Sequence, residues 1–256
     1  MENYIVNESC KQLREKGRNI LQGKWWQAIG TFIIVMLCMS LVPELITVIF
    51  GTDMVFTIIS NLYMLLIIGP FAMGMTKYML DMSRGNEVSS ATAFSGFERF
   101  GKTVGLALYM SLLVTLWSLL LIIPGIIAMY RYSMAFYILA DNPELSITEC
   151  INESKKMMNG NKAKMFLMQL SYIGWYLLSA VVIIALIVLT SSMTILRDPQ
   201  LAYYAAYSTE VPTSMAIYLI VSVILTTIVS TPIAVYLQAA ITGFYRLLTD
   251  GKEINK

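Results

Sequence analysis

Six long apolar runs constrain this sequence more than any other feature. A helix needs about 20 apolar residues to cross the hydrocarbon core of a bilayer. The runs that reach or approach this length cover residues 28–50, 55–80, 104–123, 125–140, 165–196 and 215–248. The fourth run extends only roughly 24 Å at about 1.5 Å per residue, and Pro124-Gly125 separates it from the third. We therefore predict an all-α, polytopic membrane bundle of six transmembrane helices arranged as three hairpins.

The composition excludes the other common classes of chain. Hydrophobic residues make up 57% of the 256 residues and charged residues only 13%, with a mean hydropathy of +0.67. This excludes an ordinary soluble enzyme, a disordered chain and a small secreted domain held by disulfides. The polar residues 1–24 precede an apolar run that is too long for a signal peptide. We expect a retained anchor and one integral membrane domain over residues 1–256.

The basic residues predict the orientation. With six spans and both termini inside, all of the 18 Lys and Arg residues except Arg131 and Arg197 fall on the inner side. Positive charge concentrates on the cytoplasmic side of membrane proteins, so both termini are expected in the cytoplasm. A five-span arrangement would place the lysines of 155–164, or the C-terminus, on the wrong side. The outer segment 197–214 carries three tyrosines that suit an interfacial aromatic belt: Tyr203, Tyr204 and Tyr207.

The inner segments carry amphipathic patterns. In residues 1–24 an apolar stripe recurs at helical spacing opposite a basic face, which is typical of an in-plane interfacial helix. The stripe consists of Val6, Cys10, Leu13, Gly17 and Ile20. Within 141–160, Asn142 is expected to cap a second such helix and Pro143 to begin it. A soluble cytoplasmic helix is the alternative for both segments.

Three parts of the chain share one order of features. Each has an amphipathic segment, a Gly/Lys step, an outgoing run, a break and a returning run that ends at Asp81, Asp141 or Asp250. The steps read LQGKWWQAIG (21–30), FERFGKTVGLAL (97–108) and MNGNKAKMFLMQL (158–170). This order indicates three parallel repeats of a helical hairpin, each led by an in-plane helix. The alternative is that any series of inside–out–inside hairpins would show it.

One block of the sequence resembles a known family. Residues 139–175, LADNPELSITECINESKKMMNGNKAKMFLMQLSYIGW, resemble the domain-of-unknown-function 975 (DUF975) family, which occurs mostly in Gram-positive bacteria. GKWWQAIG and FERFGK match its general plan, so the resemblance covers nearly the whole chain. It implies a multi-pass protein of the bacterial cell membrane and offers no catalytic residue. The chain is also distantly similar to membrane domains fused to glycerophosphodiester phosphodiesterases, but the phosphodiesterase domain has no counterpart here.

Arg131 is the most informative candidate site residue. It lies within the fourth run, where a central charge costs about 2.5–3.5 kcal/mol on insertion scales, so it should face a bundle interior or water. Glu44, beside Pro43 in the first run, is its candidate partner. The functional interpretation is a site for an anion or a headgroup at Arg131, with Tyr130 and Tyr137 nearby. The alternatives are an internal salt bridge and a snorkelling arginine.

A second set of residues is expected to contact lipid headgroups, because its members lie at the inner ends of the runs. The set consists of Trp25, Trp26, Lys77, Lys155, Lys156, Lys162 and Lys164. For the lysines, the alternative is that they serve topology alone.

Residues that carry chemistry are scarce. The sequence has no histidine, three dispersed cysteines and none of the common phosphate-binding, zinc-protease or serine-hydrolase motifs. Glu149 and Glu153 stand one turn apart but among lysines, so they do not predict a metal site. The 18 methionines are expected to pack rather than to bind Cu(I). We expect no metal, no cofactor, no nucleic-acid partner and no enzymatic activity.

Three functions are compatible with these features. The first is a non-enzymatic membrane protein that handles an amphipathic ligand, such as a lipid, a peptide or a small anion; it predicts a cavity that contains Arg131. The second is an accessory or scaffold protein, for example a partner of an exporter or a self-protection factor; it predicts a filled bundle and a stable partner. The third is a transporter that acts as an oligomer, although a single deep charge gives little support for ion coupling.

Overall fold

The structure is a computed structural model that describes residues 4–51, 53–197 and 213–254. Every regular element in these ranges is helical, which confirms the all-α class. In chain order the elements are α1 (Cys10–Leu21), α2 (Trp25–Phe50), α3 (Met54–Ser83), a 3-10 helix (Ser90–Arg99), α4 (Phe100–Leu120), α5 (Ile122–Tyr132), α6 (Ala135–Asp141), α7 (Ile147–Met157), α8 (Lys162–Leu170), α9 (Ile173–Arg197) and α10 (Thr213–Ile254). The tyrosines predicted to form an outer belt lie outside the described residues.

Five stretches of the described chain are long and apolar enough to cross a membrane. They are Trp25–Phe50, Met54–Ser83, Ser90–Leu120, Ile122–Asp141 and Ile220–Gly251. A sixth span results if α8 and α9, which meet at an angle of 42°, count as one. The five consecutive large apolar residues from Leu119 to Ile123 are 69% to 77% exposed, which suits contact with lipid and not with water. These helices support a multi-pass membrane protein.

The break between the third and fourth apolar runs lies earlier than predicted. Leu121 takes an extended conformation, with φ −163°, and α5 starts at the next residue, so Pro124 lies inside the first turn of α5. Proline is tolerated there because the first turn of a helix leaves its N–H groups unbonded. A side chain at Gly125 would overlap Ser118, so α5 folds back directly onto α4.

Contacts divide the chain into two compact units. The first contains Met1–Ala28, Ile68–Ile173 and Ala234–Lys256, and the second contains Ile29–Ile67 and Gly174–Ile233. In the second unit, Tyr63 of α3 donates a hydrogen bond of 2.7 Å to the carbonyl of Cys38 in α2. The rings of Phe50 and Phe56 stack at 4.5 Å where the same two helices meet. Side-chain contacts therefore hold α2 and α3 against each other in the second unit, in addition to their connection along the chain.

Three short helices in the first unit begin in the same way. Each has a serine N-cap, Ser9 before α1, Ser89 before the 3-10 helix and Ser146 before α7. In α1 and α7 the third helical residue, Gln12 or Glu149, reciprocates with a bond to the cap, which completes a capping box. The predicted cap Asn142 is wrong: it terminates α6, because the segment 143–146 runs on before α7 begins.

The turns after α1 and α7 also correspond. Gly23 and Gly160, at the same sequence distance from their N-cap serines, have φ values of 76° and 80°. A left-handed residue of this kind is favourable for glycine alone. The third predicted step differs, because Gly101 lies inside α4, which follows the 3-10 helix directly. Two of the three predicted Gly/Lys steps therefore share one backbone conformation.

Each returning helix of the first unit packs on the short helix that comes next. A Cβ atom at Gly74 of α3 would overlap the carbonyl of Ala93 in the 3-10 helix. At the next junction, the hydroxyl of Ser154 in α7 donates to the carbonyl of Arg131 at 3.0 Å and accepts from the amide of Met134 at 3.2 Å. At the third, Tyr236 of α10 donates to the carbonyl of Arg14 in α1 at 3.1 Å. The third junction therefore joins the last returning helix to the first short helix of the chain.

The N-terminal segment is fixed by one buried amide. Asn161 accepts a hydrogen bond from the backbone of Val6 at 2.9 Å and donates to the carbonyls of Tyr4 and Met157 at 2.8 and 2.9 Å. A Cβ atom at Gly251 of α10 would stand 2.5 Å from the ring of Tyr4. Residues near both ends of the described chain are therefore in contact.

Candidate functional site

Arg131 lies where α5 meets α7 in the first unit. It is the penultimate residue of α5 and is half-buried, and its carbonyl is the one bound by Ser154. Within the described part of this unit, no carboxylate reaches ion-pair distance of its guanidinium. Glu44, its predicted partner, lies half-buried in α2, in the second unit.

Tyr130 contacts α8. Its hydroxyl donates a 2.8 Å hydrogen bond to Oε1 of Gln169, and its ring meets Phe166 edge-on at 5.8 Å. The side chain is buried in the core of the first unit. The phenol thus joins α5 to α8, and its polar atom is occupied by a protein partner.

Tyr137 belongs to a polar chain between α6 and α10. Its hydroxyl is 3.1 Å from Thr242 Oγ1 and accepts from Gln238 Nε2 at 3.0 Å. Its ring stacks on Tyr245 at 4.9 Å. The hydroxyl of Tyr245 donates to Asp141 at 2.9 Å, and Arg84 pairs with the same carboxylate at 2.8 Å. The structure thus brings Tyr137 together with Tyr245, and this series of polar contacts reaches the C-terminal ends of α3 and α6.

A cavity of about 590 Å³ opens where this polar chain ends. Its lining is contributed by α6, α7, α10 and the segment between α6 and α7. The lining residues are Ile138, Asn142, Leu145, Glu149, Asn152, Glu153, Lys156, Met157, Tyr245 and Thr249. One part of the wall is apolar and the rest is polar or charged, so the cavity combines the two surfaces that an amphipathic molecule requires.

The charges in the cavity wall are fixed by local contacts. Hydrogen bonds from the side chain and backbone of Ser146 hold the pKa of Glu149 below its ordinary value of 4.5, and the charge of Lys102 acts in the same direction. Glu153 forms an ion pair of 2.6 Å with Lys156. Burial raises the pKa of the neighbouring Cys150 thiol, which keeps it protonated and a poor nucleophile. The wall thus presents two carboxylates and one ammonium group.

The two predicted tryptophan contacts differ in environment. Trp26 is 85% exposed, the most exposed large apolar side chain among the described residues. Trp25 is half-buried, with its ring 5.9 Å from that of Tyr236. Only Trp26 is therefore fully available to a bilayer interface.

Two of the predicted lysine contacts have protein partners. The ammonium of Lys155 lies 5.8 Å from the ring centre of Tyr132 and donates to Asn152 at 3.1 Å, and Lys156 pairs with Glu153. The others are half-buried on α3 and α8, namely Lys77, Lys162 and Lys164.

One sequence feature, the capping box at the start of α7, indicates a wall of the cavity, but the neighbouring charges made it difficult to recognise. Ser146 and Glu149 form a capping box, which fixes the start of α7 and places Glu149, Asn152 and Glu153 on one face. The neighbouring lysines made the two glutamates look like part of a solvated surface. The remaining walls come from α6, from the segment after it and from α10, and no local pattern could have placed α10 there.

Potential metal ligands do not converge in the described part of the chain, where no group of three or more Cys, Asp or Glu side chains could hold an ion. Comparison with known proteins gives one match. A family model described as "Protein of unknown function (DUF975)" matches residues 6–128 and 119–252. No curated protein and no solved structure matches the chain.

Proposed function

The chain belongs to the DUF975 family of proteins of unknown function, and from the cavity beside α7 we propose that it is a non-enzymatic membrane protein that binds an amphipathic ligand. The single observation that carries this proposal is the mixed wall of the cavity. Ile138, Leu145 and Met157 can contact an apolar part, while the charged residues of α7 can contact a polar part. Ligand sites commonly combine apolar walls with a few placed polar groups.

The proposed ligand site lies beside α7 and not at Arg131, where the sequence predicted it. Arg131 is not among the residues that line this cavity, and Tyr130 and Tyr137 have protein partners. Among the charged residues of the wall, the exposed carboxylate of Glu149 takes part in no ion pair within the described residues, so a ligand with an ammonium group would meet a partner there. Such a ligand would bind from the cytoplasmic side of the bacterial cell membrane, where the positive-inside rule places α7.

Native mass spectrometry of the full chain from mild detergent tests this function. We expect a non-covalent adduct on the wild type that is lost in Asn152→Trp, because the larger side chain fills the cavity. Asn19→Trp makes the same change at an exposed position of α1 and is expected to retain the adduct. An adduct that survives Asn152→Trp, or a wild type without any adduct, would contradict the proposal.

A second candidate function, a scaffold for a partner protein or for a second copy of the chain, is favoured by the close packing of the first unit. Its core contains side chains with no exposed surface, among them Leu13, Met134 and Phe244. A filled core of this kind suits a rigid support. Affinity purification in gentle detergent should then recover a stoichiometric partner or a homo-oligomer. Recovery of the monomer alone would remove this candidate.

A further inference from the structure

The first short helix exposes a basic face while its apolar face is covered by protein. Leu13, Gly17 and Leu21 are buried, and Gly17 lies against Ala240 of α10. The apolar stripe predicted for a bilayer is thus used inside the first unit. What α1 presents outward is an excess of positive charge: Lys11 and Arg18 are exposed and Arg14 and Lys16 are half-buried, against the single exposed carboxylate of Glu15.

Four basic residues against one carboxylate leave α1 with a net positive charge. None of the four basic side chains of α1 takes part in an ion pair within the described residues. The corresponding helix α7 differs, because Lys156 pairs with Glu153 and Lys155 lies over Tyr132. Two helices with the same cap, the same glycine turn and the same buried positions therefore differ in the charge they offer to a partner.

The position of α1 relative to the bilayer follows from Trp26. A tryptophan that is 85% exposed in the first turn of an apolar span belongs in the headgroup layer, where its ring meets both lipid and water. The turn from α1 to α2 is tight, with the amide of Lys24 bonded to the carbonyl of Leu21 at 2.9 Å. The last turn of α1, which carries Arg18, therefore lies close to the headgroups.

We infer that the outward face of α1, formed by Lys11, Arg14, Lys16 and Arg18 and continued by Trp26, binds the headgroups of anionic phospholipids in the inner leaflet. Anionic lipid attracts basic side chains near its surface, and each contributes ~1 kcal/mol. Since 1.4 kcal/mol corresponds to a tenfold change in affinity, each residue is expected to raise the affinity about fivefold. The indole of Trp26 adds an anchor that does not depend on charge. This surface is separate from the cavity, whose lining residues come from other elements.

The test compares two variants that each remove two positive charges. The first is Lys11→Gln with Arg18→Gln on α1, and the matched control is Arg99→Gln with Arg246→Gln, two arginines outside the cavity that pair with Glu144 and Asp250. Each full-length protein is placed in nanodiscs of equal parts phosphatidylglycerol and phosphatidylcholine. Native mass spectrometry then measures the ratio of the two lipids that stay bound after the disc is removed.

We expect the wild type to retain phosphatidylglycerol preferentially and the α1 variant to lose more than about tenfold of that preference, as two basic residues contribute about fivefold each. The control variant should stay within about twofold, because both of its arginines already have carboxylate partners. Equal losses in both variants would show a general effect of net charge and overturn the inference. It is also overturned if the α1 variant keeps the preference, or if the wild type shows no preference for phosphatidylglycerol. In the second case, capture of an acidic protein by α1 would show a different partner for this surface.

Discussion

Gly17 of α1 lies so close to Ala240 of α10 that a Cβ atom at position 17 would stand 2.8 Å from the backbone nitrogen of Ala240. The two helices therefore touch backbone to backbone. In α7 the corresponding residue is Ser154, which is also fully buried and bonds the backbone at Arg131 and Met134. A small side chain at one position of the short helix thus makes both junctions possible.

Gly17→Ala should destabilise the protein, because the added methyl group meets backbone that cannot rotate away. Overpacking of this kind costs about 1–3 kcal/mol, and thermal unfolding in detergent measures it. Gly101→Ala is the matched control, since a Cβ atom there has no neighbour within 4 Å. In a helix interior that change should be neutral or stabilise by about 0.5–1 kcal/mol. Equal melting temperatures for the two variants would refute the close approach.

Asn161→Ala should release the N-terminal segment. The substitution removes the acceptor for the Val6 amide and the donor to the Tyr4 carbonyl. Buried groups left without a partner cost about 1–3 kcal/mol each. Limited proteolysis should therefore cleave near residue 6 faster than in the wild type. Asn7→Ala, at an exposed position of the same segment, should leave the cleavage rate unchanged, and a similar acceleration there would count against the role of Asn161.

Tyr137→Phe should lower stability without affecting the ligand. The phenol bridges Thr242 and Gln238 inside the first unit but does not line the cavity. Loss of such a hydrogen bond costs about 0.5–1.5 kcal/mol, and more where a buried partner is left unsatisfied. Thermal unfolding should show the loss, while native mass spectrometry should find the same adduct as in the wild type. Loss of the adduct at unchanged stability would restore Tyr137 as a ligand contact.

The start of α7 should become less stable in acid. Because the pKa of Glu149 is depressed, mainly by the bonds from Ser146, its contribution is present above the ordinary value of 4.5 and disappears as the pH falls through the lower folded value. The hydrogen-exchange protection factors of the first-turn amides, which correct for the intrinsic pH dependence of exchange, should fall over that interval. Glu149→Gln should remove this fall, and the first turn of α1, which has Gln12 at the corresponding position, should not show it. Protection factors of α7 that stay constant in the wild type would contradict the assignment.

Local patterns predicted the elements of this fold better than their contacts. The length of the apolar runs and the polar residues between them were enough to predict the helices. The break at Leu121 was missed because proline was treated as a break, although it suits the first turn of a helix. The stripe of α1 was correctly placed on one face, but the pattern could not distinguish lipid from Ala240 as its cover. Both surfaces are apolar, and only the tertiary structure decides between them.

The candidate site shows the same limit more strongly. A charge or a phenol within an apolar run indicates only that it needs a partner. Tyr137 finds that partner in Thr242, which is far away in sequence. The cavity depends on the meeting of α7 with α10, and Tyr245 and Thr249 contribute to it from the end of the chain. When distant helices converge to form a site, the periodicity of the sequence does not show which of their residues come together.

The contact between Tyr4 and Gly251 has a consequence for biosynthesis. A ribosome releases the beginning of the chain long before α10 exists, so the contact between Gly17 and Ala240 can form only at the end of translation. Until α10 arrives, the face of α1 around Gly17 lacks the helix that covers it. A truncated product that stops before residue 240 would keep that face uncovered and offer quality-control proteases an early target.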